Sequence, residues 1–129
     1  ILAGYPKKMD SFLNANPGLS RRFPTTIKFP NYTADECVEI FKMFASQERY
    51  EFEDQVQDCL ATLEDLFESL SRRSDFGNAG EVANLWNKTK RIIRRRVRQN
   101  RSNSEDSEIA DSKVTVEDVQ NLVIELTRI

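Results

Sequence analysis

Apolar residues recur at helical spacing along most of this chain and at strand spacing almost nowhere. Thr33, with Glu36 three positions on, predicts a capping box, and Cys37, Ile40, Phe41, Phe44 and Ala45 then define one apolar helical face. A second stripe, the cleanest, runs through Val56, Cys59, Leu60, Leu63, Leu66, Phe67 and Leu70 before residues 71–77 break it. Asn78 with Glu81 predicts the cap of a third helix, whose inward positions are Val82, Leu85, Trp86, Thr89, Ile93 and Val97. Residues 99–113, rich in Ser, Asn and acids, read as a loop. Thr115 with Asp118 then caps a fourth helix carrying Val119, Leu122, Val123 and Leu126. Four amphipathic helices with short connections describe a small bundle.

Residues 1–30 have a different character. The run ILAGY is short and apolar enough for a buried strand, and residues 25–29 read as a second strand ending at Pro30. Between them Pro6 is placed to open a short helix through Phe12 or Leu13. Asn16-Pro17 repeats the arrangement, with Asn as the cap of a brief helical turn through Arg22. Two strands and two helical turns cannot bury themselves, so this segment predicts a sheet supplied from elsewhere. The first residue is not Met, and the chain reads as a piece of something longer.

At 129 residues, 39% apolar and 31% charged, the chain is sized for a single core and is too apolar to be disordered. No apolar run approaches the ~20 residues of a membrane span, and nothing at the start resembles a secretory leader. The chain holds no histidine, which removes imidazole acid–base catalysis, Ser-His-Asp triads and every zinc site with His ligands. Its two cysteines, Cys37 and Cys59, both fall on apolar stripes and predict buried free thiols in a reducing, cytoplasmic compartment. The sequons at Asn31, Asn87 and Asn100 are then accidental.

Net charge is only −2, but its distribution is uneven. Residues 35–68 hold eleven acids against Lys42 and Arg49, while residues 88–101 hold eight bases and no acid. The basic segment could grip the phosphates of a nucleic acid or of a phosphorylated partner. It interleaves with Ile92, Ile93 and Val97 and not with aromatics, so base stacking has no platform, and a solvated helix face is the preferred reading. Glu64, Asp65 and Glu68 beside the second stripe also read as a solvated face. There is no G-x-x-x-x-G-K-[ST], so the chain lacks a phosphate cradle of its own. The most specific string is residues 16–23, NPGLSRRF, in which a rigid Pro-initiated turn presents Arg21 and Arg22 just before a predicted strand. Such a mount suits a guanidinium that must reach an external anion, although a pair of surface arginines is the plain alternative.

Ala3-Gly4-Tyr5, Met9-Asp10, Asn16-Pro17-Gly18-Leu19, Arg22-Phe23, Phe29-Pro30, Tyr32-Thr33 and Glu36 together resemble the AAA+ ATPases of the CbbX and stage V sporulation protein K type. Phe76-Gly77-Asn78-Ala79 resembles that family's lid motif, and residues 115–119, TVEDV, the entry to its last helix. The resemblance implies a mainly α chain: a four-helix AAA+ lid, residues 31–129, preceded by the last two strands of an αβα nucleotide-binding core in residues 1–30. It implies that Arg22 is the arginine finger, with Arg21 as an understudy, and that Gly77, Asn78 and Gly80 lie at the nucleotide. ATP with Mg²⁺ would be held by a preceding half of the protein. The implied partners are neighbouring subunits of a ring and a protein client, with no nucleic acid and no membrane.

The chain departs from the family at two places. Gly80 stands where the pattern has its sensor-2 arginine, and Ala83 stands where the next arginine falls. These losses leave a second reading, a non-catalytic helical module that docks an acidic protein or nucleic acid through its Arg-rich helix. The acidic stretch at 102–111 reads as an insertion.

Overall fold

The computed structural model describes residues 1–53, 56–100 and 112–127. Two units are present, Ile1–Pro30 and Asn31–Ile129. In the first, Pro6 opens helix α1 (Pro6–Ala15), a position where its missing N–H costs nothing. Asn16 closes that helix: its Nδ2 donates to the Phe12 carbonyl at 3.1 Å, and its backbone N–H to Leu13. The chain then reverses through Asn16–Leu19, with Leu19 N–H donating to the Asn16 carbonyl at 3.0 Å. Pro17 takes the second position, and Gly18 at φ −83°, ψ −16° the third, of a type I turn. Helix α2 (Leu19–Arg22) follows. Asn16 therefore terminates α1 instead of capping α2, because the turn places Gly18 at the start of the second helix.

The two segments read as strands, 1–5 and 25–29, have no regular structure. A strand exists through its ladder, and among the described residues neither segment has a partner to pair with. Nothing in residues 1–30 is buried, and Ile27 and Phe29 remain 74% and 86% exposed. The expectation that this segment cannot bury itself agrees with that exposure.

The second unit carries the core. Its elements are α3 (Ala34–Gln47), β1 (Glu51–Phe52), α4 (Val56–Ser71), α5 (Ala79–Asn100), β2 (Lys113–Val114) and α6 (Val116–Thr127). Helix α3 begins with the predicted capping box: Glu36 N–H donates to Thr33 Oγ1, and Thr33 N–H to Glu36 Oε1 at 3.1 Å. It ends with Arg49 at φ 63°, whose N–H donates to Ser46 while Tyr50 N–H donates to Ala45. That pair of bonds is a Schellman termination, built here on a non-glycine residue. At the other end of the unit, Thr115 and Asp118 form a second capping box, with bonds of 2.9 and 3.2 Å.

Phe41 lies at the centre of the core, with its ring 5.4 Å from Trp86, 6.2 Å from Phe52 and 6.3 Å from Phe67. Trp86 in turn meets Tyr50 edge-on at 5.0 Å, and its indole N–H donates to Glu48. Every inward position named for the third helix is buried, and so is Ile92. Two features differ from the sequence reading of residues 99–113. Helix α5 continues to Asn100, and Lys113 opens a strand, Lys113–Val114, whose Val114 is fully buried. That strand pairs in parallel with β1, Glu51 opposite Lys113 and Phe52 opposite Val114. The acidic stretch at 102–111 and the side chain of Cys59 lie outside the described residues. Cys37 is a buried free thiol, its pKa pushed up by burial and by the neighbouring Glu36 charge.

Candidate functional site

Arg21 and Arg22 form the last turn of α2. The four-residue helix is held between the turn at Asn16 and the bond from Phe23 N–H to the Leu19 carbonyl at 3.0 Å. Both arginines are exposed, and among the described residues neither makes a hydrogen bond or ion pair. Two guanidinium groups are thus displayed on a short mount fixed by Pro17.

Gly77, Asn78 and Gly80 share one turn at the start of α5, closed by Gly80 N–H donating to the Gly77 carbonyl at 3.1 Å. Asn78 is in the left-handed region at φ 54°, which redirects its side chain. Its Oδ1 accepts from Tyr32 N–H at 2.8 Å, and its Nδ2 donates to Asn31 Oδ1 at 3.1 Å and to the Phe76 carbonyl. Asn78 therefore fastens the first residues of the second unit and leaves the helix start to its backbone carbonyl, which accepts from Val82. Sequence reasoning missed this tie, and it paired Glu81 with Asn78 where the structure pairs it with Gly77 and Arg73. The Glu81 carboxylate accepts from Gly77 N–H and pairs with Arg73 at 3.2 Å, while Arg73 also meets Asp75. Partners eight positions apart across a break leave no periodic signal.

The residues of this turn do not by themselves suit a nucleotide phosphate. The N–H groups of Gly77 and Gly80 are already engaged, a carboxylate stands in the first turn, and the nearest guanidinium, Arg73, is paired with that carboxylate. Gly80 itself faces open space, with nothing within 4 Å of where a Cβ would stand, so its lack of a side chain is not a packing requirement. Among the described residues no group of His, Cys, Asp or Glu could hold a metal ion.

The basic helix is not uniformly solvated. Arg96 forks onto Asp118, Nε to Oδ1 at 2.9 Å and Nη2 to Oδ2 at 3.2 Å, and also donates to the Lys113 carbonyl. Lys90 pairs with Glu48 at 2.9 Å and Arg95 with Glu125 at 3.2 Å. The hydrogen bond from Lys90 is the main reason that Glu48 titrates below the usual carboxylate range. Balance thus comes largely from α6 and the end of α3. On the opposite side of the charge distribution, Glu64 is pushed up by its hydrogen bond with Asp35 and by the Asp35, Asp65 and Glu68 charges. These carboxylates are exposed, a crowded solvated face.

A family model described as an AAA lid domain matches residues 33–127. The chain is 35% identical over 99 residues to the protein CfxQ homolog of Pyropia yezoensis, covering 77% of this chain and 30% of that protein. Stage V sporulation protein K of Bacillus subtilis (strain 168) is 38% identical over 93 residues, 69% of this chain and 28% of its own length. The chromosomal protein CbxX of Cupriavidus necator is 33% identical over 90 residues, 70% of this chain and 27% of its own length. This chain therefore spans 27–30% of the length of these curated relatives. It belongs to the AAA+ ATPases of the CbbX and stage V sporulation protein K type, and residues 33–127 are its AAA lid domain.

Proposed function

We propose that this chain serves an ATP-hydrolysing ring that remodels a protein client, contributing the lid and the arginine finger. In this reading residues 1–30 are the end of the αβα core, whose remaining strands would pair with segments 1–5 and 25–29. Nucleotide and Mg²⁺ are bound outside these residues, and Arg22 reaches the phosphates bound by an adjacent subunit. The observation that carries it is the display of Arg22 on the Pro17–Gly18 turn, exposed and free of any partner among the described residues. A guanidinium that stabilises the charge developing in phosphoryl transfer is worth roughly 10³–10⁵ in rate in GTPases. The lid transmits movement between subunits and does no chemistry itself. A reducing, intracellular location belongs to the same proposal.

The test is steady-state ATP turnover of the intact parent protein beside its Arg22→Ala variant. Turnover should fall by at least about 100-fold with ATP affinity kept, since an arginine finger acts on the transition state more than on binding. Equal turnover would remove Arg22 from the active site. Arg21→Ala, measured in parallel, should cost less than about tenfold if Arg21 only substitutes for its neighbour.

A further inference from the structure

A groove of about 340 Å³ runs between the end of α4, the first three turns of α5 and the end of α6. Its apolar lining comes from Leu70, Leu85 and Leu126, one leucine from each helix. Lys88 and Arg91, one turn apart on α5, stand along it. Neither has an ion-pair or hydrogen-bond partner among the described residues, whereas the single carboxylate of the lining, Glu81, is already paired with Arg73. Among the described residues, the groove therefore carries two uncompensated positive charges beside leucine side chains. Arg94, Arg95 and Arg98 continue the same exposed stripe, about 15 Å along the helix from Lys88 at 1.5 Å per residue.

We propose that this groove receives an acidic segment of a partner protein, laid along α5 with an apolar side chain seated on the half-buried Leu70 and Leu126. Charge complementarity selects the acid, and the leucine lining selects a segment with an apolar anchor, the pattern of an amphipathic helix in a groove. A nucleic acid fits less well, because no aromatic ring lines the groove and a polyanion has no use for the leucines. The proposal stands apart from the nucleotide reading, and its test contains no ATP.

The probe is a labelled peptide of glutamates with leucines at i, i+3, i+4 and i+7, titrated into the whole chain at low salt and followed by fluorescence anisotropy. An all-glutamate peptide and a labelled oligothymidylate serve as comparisons. The leucine-bearing peptide should bind, and Lys88→Glu with Arg91→Glu should weaken it by about tenfold or more. Lys7→Glu with Lys8→Glu, the same charge change on α1, should weaken it less than about threefold. Should the double reversal impair folding, Lys88→Gln with Arg91→Gln makes the same comparison. Absence of peptide binding overturns the proposal, as do equal losses in the groove and α1 variants. Equal affinity for the all-glutamate peptide overturns the apolar seat, and tighter oligothymidylate binding reassigns the stripe to nucleic acid. Self-association of the chain that depends on Lys88 and Arg91, without peptide binding, would reassign it to a second copy.

Discussion

Asp118 puts a carboxyl group into the interior at 0% exposure, and the side chains around it account for that position. Arg96 is itself only 16% exposed and meets both carboxylate oxygens, while Thr115 N–H supplies a further donor at 2.9 Å. Arg96→Met keeps the length of the side chain but strands Asp118 in the core, which should cost about 3–5 kcal/mol. Urea unfolding would show this as a lower midpoint at unchanged slope. Arg95→Ala, which removes only an exposed pair with Glu125, should change stability by less than about 1 kcal/mol. A similar loss in both variants would mean that Arg96 is as solvated as its neighbours. The run Arg94–Arg96 looks uniform by charge, but helical phase singles out its last member: Arg96 falls seven positions after Thr89 and four after Ile92, on the inward stripe, and Arg94 and Arg95 fall outside it. What phase does not give is the partner, Asp118, which the packing of α6 beside α5 brings to it. For the same reason, substituting all three arginines would test folding and not binding, so the groove is better probed at Lys88 and Arg91.

Among elements, the helices were legible and the strands were not, for reasons of length. Each lid helix repeats its apolar face over three or more turns, and the Thr33–Glu36 and Thr115–Asp118 boxes mark two starts by local chemistry. The strands β1 and β2 hold two residues each, too few to show a period, and they pair across a long stretch of chain. Asn78 was correctly placed at a helix start but misread in its side chain, since only the left-handed backbone turns it toward Asn31 and Tyr32. The other left-handed residue yields a prediction at this scale. Arg49 occupies the position of the α3 termination that glycine usually takes, at a conformational cost of about 1–2 kcal/mol. Glycine gives back part of that through its freer unfolded chain, so Arg49→Gly should stabilise the protein by about 0.5–1 kcal/mol. Calorimetry at neutral pH reads this directly, and a lower melting temperature would show that the Arg49 side chain contributes more than its backbone costs.

At the scale of the whole molecule, the two units divide the apolar residues unequally. All of the buried hydrophobic residues, from Cys37 to Leu122, belong to the second unit, and the first has none. Most of the large exposed hydrophobics, among them Leu2, Tyr5, Phe12, Phe23, Ile27 and Phe29, belong to the first. The arginine mount was readable there because Asn-Pro-Gly acts locally, whereas ILAGY and residues 25–29, read as strands, have no regular structure, since among the described residues nothing pairs with them. The core of the second unit closes without residues 1–30: its aromatic cluster, both capping boxes and the Arg96–Asp118 pair lie within it. A chain beginning at Asn31 should therefore unfold cooperatively with a stability within about 1 kcal/mol of the longer chain, as removal of surface residues does. Trp86 provides the signal, buried against Phe41 and Tyr50. The longer chain should associate as its concentration rises, through its uncovered apolar side chains, and the shorter one should not. Sedimentation of both across a concentration series checks the association, and a shortened chain whose Trp86 signal melts without cooperativity would mean that residues 1–30 complete the lid's core.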